Sequence, residues 1–512
     1  MKRSSLFSLS DGRKVFAVID LGFNSLKMVT YRVNGDNSFK AIDEISVKAK
    51  LGDGLSYTGF LSNESMERTI SAIRLLGEII KIRAINHVSP VATSAVREAG
   101  NREEFLRRVY REAHLRFRVL SDKEEAIYSY LGAARGTGIS NMLFFDIGGG
   151  SLEIVYAKRF EVRKIFPLPL GALRLTQLYA NGKGKLTKKK YLQMRKHVTE
   201  LLPDSMELRI NEDTALVGVG GTVRALARYD QELKNYPLNK THNYVISAES
   251  VSDINERLQE MQHDEITKIE SIGGGRAATI AAGVCVIDTL MKKLDFEKLV
   301  VSTNGLRDGI LCAQLEFPNS EIDQQKIHNY LKANISLNQH SVNAQQLLLQ
   351  NLIDEREASI ISHALKAMEN SSDHSPEDTF YIVMNEDSML SHRDQLTLTL
   401  SLASVRKPRV AHWFFERYKQ LFKPQNKKSI RRIAAIIRLI SILEKTGSEI
   451  RLRRKGERSI WLDILTRDGK IPLQLLENVI KEFEDTLDVS VDYWVSKATK
   501  QLAEAAMEGV VQ

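Results

Sequence analysis

The stretch MLFFDIGGGSLEIVYA, residues 142–157, sets the reading of the chain: an apolar β run ends in Asp146, turns through Gly148, Gly149 and Gly150, and resumes after Ser151 as a second β run. Three consecutive glycines are costly in backbone entropy and pack nothing, so an ordinary hairpin has little use for them. A turn of this kind lets amide N–H groups point at an anion. Asp146 before the turn and Glu153 after it bring two carboxylates to the same place, which suits a phosphate group contacted through Mg²⁺. About 126 residues earlier the pattern already occurs once: VFAVIDLGFNSLKMVTYRV, residues 15–33, runs strand, turn, strand, with Asp20, Gly22, Asn24 and Ser25 at the turn. A carboxylate at that strand end can hold a cation or a water, although Asp-x-Gly also closes plain hairpins. Two copies of one theme predict a duplicated α/β lobe.

Two further glycine turns extend the pattern. In ALVGVGGTVRAL a strand opens directly into a helix at Gly220, Gly221 and Thr222, where the helix N-terminus adds a favourable field for an anion. It is neither a dinucleotide fingerprint nor a P-loop, since the third glycine is out of register and no lysine follows. Close packing of helix on strand is the plain alternative for these glycines. LVVSTNGLRDGIL, residues 299–311, has the same form. Helices are predicted over residues 63–83, 105–113 and 124–134, giving two α/β lobes, 1–135 and 136–315, with glycine turns facing one cleft. Beyond about Pro318 glycines become scarce, and residues 316–512 read as a mainly helical region.

Composition narrows the class. With 43% hydrophobic and 27% charged residues, the chain is an ordinary globular protein and not a disordered, collagenous or disulfide-stapled one. Its two cysteines, Cys285 and Cys312, suggest a reducing compartment. The segment Met1 to Lys14 lacks the apolar stretch of a secretory signal and reads as a frayed end, and no run is long and apolar enough to span a membrane. A cytoplasmic protein is expected.

The turns DLGFNS, DIGGGSLE, GVGGT and STNGLRDG, in this order and spacing, resemble those of the exopolyphosphatase and guanosine pentaphosphate phosphatase family. TSAVREAGN at Thr93 to Asn101 and SDKEEAIYSYLG at Ser121 to Gly132 add to the likeness, which covers about residues 14–315. The resemblance implies the two-lobed fold of actin, sugar kinases and heat-shock ATPases. It also implies Mg²⁺-assisted hydrolysis of terminal orthophosphate from inorganic polyphosphate, or of guanosine pentaphosphate, by a homodimer. It places the catalytic base on Glu125, with Glu124 as competitor, and metal and phosphate contacts on Asp20, Asp146 and Glu153. Arg97 falls on an arginine that clamps phosphate, a task for a forked, permanently charged guanidinium; an ion pair with Glu98 or Glu103 is the plain alternative. One departure is Phe23, which replaces the family's usual serine and removes a hydroxyl from the first loop.

Long members of this family carry a helical domain resembling HD phosphohydrolases. The chain's only His-Asp dipeptide, His263-Asp264, lies in the second lobe, Asp373-His374 has the reverse order, and His363, His392 and His412 follow no ligand pattern, so an HD-like domain without metal is expected. Charge gives it another use. Residues 406–455 hold 16 Lys and Arg against three acidic residues, a net +13, which leaves the other 462 residues at −4 and the whole chain at +9. Such a concentration attracts a linear polyanion by counterion release, and a polyphosphate chain leading towards it is the expectation. Trp413, Phe414, Phe415 and Tyr418 lie in the same window and are able to stack bases, although aromatic clusters more often form a helix core. A non-catalytic polyanion or nucleic-acid sensor is therefore the rival reading.

Overall fold

The computed structural model describes residues 14–180, 185–208, 210–318, 323–336, 342–370, 374–423, 426–456, 458–466 and 471–497. The stretch read as a frayed end before residue 14, and Asp373, lie outside the described residues. The chain divides into two compact units, Met1–Lys332 and Ala333–Gln512.

The first unit is built on two sheets. In the first, β1 (Lys14–Leu21), β2 (Leu26–Val33) and β3 (Phe39–Val47) form an antiparallel meander, and β4 (His87–Ala92) and β5 (Arg118–Val119) continue in parallel beyond β1, in the order β3-β2-β1-β4-β5. The second holds β6 (Met142–Ile147), β7 (Leu152–Lys158), β8 (Glu161–Leu168), β9 (Ala215–Val219), β10 (Val245–Ser247) and β11 (Lys298–Val301), in the order β10-β11-β9-β6-β7-β8. Read outward from the meander, it repeats the first sheet and adds β10 antiparallel at the far edge. The central strands are continuous apolar runs because both faces are covered. By contrast β3 and β8 are edge strands, half exposed and interrupted by Lys40, Asp43, Glu44, Arg163 and Lys164, so no clean alternation marks them in the sequence.

Helices cover these sheets through stripes at helical spacing. The helix Asn63–Ile82 starts at Ser62, whose side chain accepts from the Ser65 N–H, and buries Met66, Ile70, Ile73 and Leu76 in the core of the first sheet. The helix Ile280–Lys293 is buried almost throughout, packed among the helices Ala172–Tyr179, Lys188–Leu201, Gly221–Leu233 and Ala248–Glu260. Two helices, Asp122–Thr137 and Leu306–Glu316, join the sheets: the former packs on β6 and β7, the latter on β1, and they lie against each other. Their backbones approach so closely that a Cβ on Gly309 would sit 1.8 Å from the Tyr128 carbonyl oxygen. The helix Gln324–Leu331 also belongs to this unit, packed on β8 with Ile327 and Leu331 fully buried, whereas the sequence reading assigns it to the helical region that begins at 316.

The second unit combines helices with a small sheet of β12 (Ser448–Gly456), β13 (Ser459–Thr466) and β14 (Ser490–Lys497), ordered β12-β13-β14. The helix Asn426–Lys445 buries Ile430, Ile433, Ile437, Ile440 and Leu443, the stripe its sequence displays. Two of its arginines turn to carboxylates, Arg432 to Glu357 and Arg438 to Glu482. Cys285 and Cys312 are buried free thiols. Among the described residues no helix is long and apolar enough to cross a membrane.

The helix contact at Gly309 supplies a test of the fold. Gly309→Ala forces a methyl into a backbone carbonyl that cannot yield, and should destabilise the protein by about 3 kcal/mol, read as a lower urea midpoint at unchanged slope. An unchanged midpoint would mean that the two helices do not meet this closely.

Candidate active site

The two glycine loops meet across the cleft between the sheets. Each closes in the same way: the Gly22 N–H donates to the Ser25 carbonyl at 3.0 Å, and the Gly148 N–H to the Ser151 carbonyl at 3.0 Å. The N–H groups of Phe23, Asn24, Gly149 and Gly150 donate no hydrogen bond among the described residues, so both turns leave donors over. Gly150 is required by what faces it, because a Cβ there would lie 2.5 Å from the Phe23 ring and 2.7 Å from Ser94 Oγ. Gly220 is required by conformation as well, with φ at +107° and a would-be Cβ 2.6 Å from the Ile147 carbonyl oxygen. It caps the helix Gly221–Leu233, whose first N–H groups have no intrahelical acceptor. Together these turns border a cavity of about 190 Å³.

One end of the cavity is acidic. Ser121 caps the helix Asp122–Thr137, and Glu124 closes the capping box, its carboxylate accepting from the Ser121 N–H at 2.9 Å and pairing with Arg118. This duty separates the two candidate bases, since Glu124 faces its own helix end while Glu125, 8% exposed, lines the cavity. Glu125 is held from behind: Arg97 Nη1 donates to its Oε2 at 2.8 Å and to the Leu120 carbonyl at 3.0 Å, while Nη2 lies 2.5 Å from Asp122. Glu125 Oε1 carries no hydrogen bond among the described residues. Burial pushes the Glu125 carboxyl up to about 7; Arg97 opposes the rise, and Asp146 and Asp20 add to it.

Asp146 and Glu153 are direct partners across β6 and β7, so their side chains share a face of the sheet. Burial raises both carboxyl groups, Glu153 well above the usual range, with Glu125 and Asp146 adding to its rise. Ser129 donates to Asp146 Oδ2 at 2.9 Å. Asp20, at the end of β1, is likewise raised by burial while Arg307 and Lys27 pull it back. Glu153 Oε1 is buried and unpartnered, the condition of an oxygen that awaits a cation or a proton. No group of three or more His, Cys, Asp or Glu converges as a metal cage among the described residues. A hard cation that keeps its waters and takes one or two carboxylates, as Mg²⁺ does, fits this donor set.

The other end is basic, and the sequence reading misses it. Lys27, Arg224, Arg276 and Arg307 line the cavity. Lys27, Arg224 and Arg276 make no ion pair or side-chain hydrogen bond among the described residues, and Arg307 meets only Glu44, at 3.6 Å. Burial lowers the Lys27 ammonium to about 8, with Arg307 and Arg224 lowering it further. Arg224 and Arg276 are lowered by burial first and then by neighbouring arginines. Desolvated cations that repel one another and have no protein partner call for an anion. A signal for them exists in the sequence, since Lys27, Arg224 and Arg307 each follow a glycine turn by two to five residues.

Of the residues singled out from sequence, Asp20, Gly22, Asn24, Ser25, Glu125, Asp146, Gly148, Gly149, Ser151, Gly220, Gly221 and Thr222 line the cavity. Arg97, Gly150 and Glu153 stand behind its wall. Arg97 holds Glu125 from outside the lining of the cavity, and Glu98 pairs with Arg174 at 2.7 Å. Phe23 differs from expectation too. Only 2% exposed, its ring is part of the core of the first sheet, in a slot between Gly52 and Gly150.

A family model described as the Ppx/GppA phosphatase family matches residues 28–317, more than half of the 512-residue chain. Among solved structures, an Aquifex aeolicus member of the Ppx/GppA protein family is 27% identical with a TM-score of 0.51, over 60% of this chain and 100% of that one. An exopolyphosphatase from Cytophaga hutchinsonii is 22% identical with a TM-score of 0.55, over 59% of this chain and 98% of that one, a likeness of fold.

The placement of Phe23 gives a prediction. Phe23→Ser supplies the hydroxyl that the first loop lacks but empties the slot, so it should destabilise by about 3 kcal/mol or more in urea unfolding, with no gain in substrate affinity. Full stability with tighter binding would show that the ring is dispensable.

Proposed function

Because the chain belongs to the Ppx/GppA phosphatase family, we propose that its cleft hydrolyses the terminal phosphoanhydride bond of linear inorganic polyphosphate. The observation that carries this reading is a single small cavity with buried carboxylates at one end and four cations at the other, three of them without protein partners. A phosphate chain is complementary to both ends: its reacting terminus to the acidic end, its following groups to the basic end. The walls favour a bare phosphate chain over a nucleotide, since the only aromatic ring among the lining residues, Phe23, is turned into the core and offers a base nothing to stack on.

In this mechanism water is held at Glu125 Oε1, opposite the Oε2 that Arg97 fixes. As the water oxygen bonds to the terminal phosphorus, Glu125 takes its proton and the bridging P–O bond breaks. Orthophosphate leaves with the water oxygen, and the electron pair of the broken bond stays on the shortened chain. The free amides of the Gly148–Gly150 turn and the N-terminus of the helix Gly221–Leu233 face the developing charge on the phosphoryl oxygens. Asp146 and Glu153, with Asp20 beside them, would hold Mg²⁺, which when bound neutralises phosphoryl charge. Lys27, Arg224, Arg276 and Arg307 retain the remaining chain.

The repeated sheet plan supports reading the first unit as a pair of lobes of the actin and sugar-kinase type. The second unit we read as an HD-like domain that works without a metal of its own.

Glu125→Gln should lower phosphate release by about a thousandfold while the melting temperature and polyphosphate binding persist; undiminished turnover would overturn the assignment. Arg224→Gln should raise KM for polyphosphate by about tenfold and raise the melting temperature of the free protein, because a repelled buried charge is removed. A lowered melting temperature with unchanged KM would make Arg224 a structural residue. Phosphate release measured side by side should favour polyphosphate over guanosine pentaphosphate, and the reverse preference would replace the substrate.

A further inference from the structure

The second unit carries a surface that hydrolysis in the cleft leaves unused. The helix Pro408–Tyr418 buries Val410, Ala411, Phe414 and Tyr418, and turns the rest of its circumference outward. Phe414 stacks on Phe380 at 3.7 Å, which anchors the helix. On the outer side Trp413 is 56% exposed, and Tyr381 nearby is 41% exposed. Arg417 lies 5.7 Å from the Trp413 ring and donates to the Tyr381 hydroxyl at 3.3 Å, so one guanidinium spans two open rings. A second aromatic pair adjoins it: Phe415 stacks on Phe422 at 5.5 Å, with Lys427 Nζ 5.5 Å from the Phe415 ring.

The surrounding charge is mainly positive. Residues 407–431 hold eight Lys and Arg against one acidic residue, Glu416, which pairs with Lys419, while Lys407 pairs with Glu377 on the helix that carries Tyr381. Arg409, Lys423, Lys428 and Arg431 make no ion pair among the described residues, nor does Lys427. The small sheet of this unit also exposes a tryptophan, Trp494, but there Asp463 and Asp492 stand among the basic residues, and Lys455 pairs with Asp492 at 3.3 Å. On the helix surface Glu416 and Glu377 each pair with a lysine, and positive charge stays in excess.

Two properties of this surface need different features of a ligand. Unpaired Lys and Arg answer a repeated negative charge. Exposed rings answer a flat π face, and an inorganic phosphate chain has none. A single strand of nucleic acid has both, with unstacked bases carried on a charged backbone. We propose that the surface around Trp413, Tyr381, Phe415, Arg417 and Lys427 binds single-stranded nucleic acid, with bases stacked on the rings and phosphates on the lysines and arginines. It is a second polyanion site, separate in its residues from the catalytic cavity.

The test uses the full chain and a fluorescein-labelled single-stranded RNA of mixed sequence, with binding read by anisotropy across a salt series. Trp413→Ala should weaken RNA binding about tenfold and Trp413→Phe should restore most of it, with phosphate release from polyphosphate unchanged in both. The pair Lys427→Ala and Lys428→Ala should reduce the slope of log affinity against log salt by about 1.4. Absence of RNA binding up to about 100 µM protein would overturn the proposal. So would equal RNA affinity of Trp413→Ala and the parent, or polyphosphate displacement of RNA that Trp413→Ala weakens as much as RNA binding itself, since either outcome describes a charge patch without base recognition.

Discussion

Four carboxylates, Asp20, Glu125, Asp146 and Glu153, are brought out of water into one another's field, and much else in the first unit follows from that constraint. Like charges in a poorly solvated place raise each other's proton affinity and weaken the fold unless something opposes them. Here Arg97 holds Glu125, Ser129 holds Asp146, and Arg307 with Lys27 faces Asp20. Glu153 is left with an unpartnered oxygen. The opposition is incomplete, and the acidic end stays ready for a cation. At the basic end the imbalance has the other sign. A ligand that is anionic along its length and accepts a metal at its terminus relieves both.

A repeated sheet plan explains how the chain assembles such a place. In each sheet a strand, β1 or β6, closes with Asp and turns through a Gly–Ser hydrogen bond of 3.0 Å, so apposing the sheets brings two carboxylates and two sets of free amides together. The apposition depends on small residues at close contacts, at Gly150 against the Phe23 ring and at Gly309 against the Tyr128 backbone. Arg174 reinforces it, bonding the Gly150 carbonyl at 2.7 Å and pairing with Glu98 of the first lobe.

The features legible in the sequence are those whose physics is local. Glycine turns after apolar strands, the capping Ser121 and the apolar stripe of Asn426–Lys445 can each be read from a few neighbouring residues. The edge strands β3 and β8 cannot, because solvent on one side permits charges that interrupt the pattern. The choice between Glu124 and Glu125 is local too, since Ser121 three residues before Glu124 is a capping-box pattern that engages Glu124 at the helix end. Arg97 was readable as important but not as the partner of Glu125, 28 residues away in sequence. Phe23 reads as a lost hydroxyl and is in fact a core ring, because the slot it fills is made by Gly52 and Gly150 from distant segments. The basic end escapes for the same reason: Lys27, Arg224, Arg276 and Arg307 follow four separate glycine turns and become a cluster only in the fold.

The helical unit separates two uses of positive charge that a count over residues 406–455 merges. Arg432 and Arg438 are spent inside the unit on Glu357 and Glu482, while Arg409, Lys427 and Lys428 remain open beside exposed rings. The central claim concerns the other site, where water is said to attack the terminal phosphorus of a phosphate chain. It is tested most directly by running the reaction on polyphosphate in ¹⁸O-enriched water and analysing both products by mass spectrometry. The account predicts one solvent oxygen in each released orthophosphate and none in the shortened chain. Label in the chain with unlabelled orthophosphate would place the attack on the neighbouring phosphorus and contradict it.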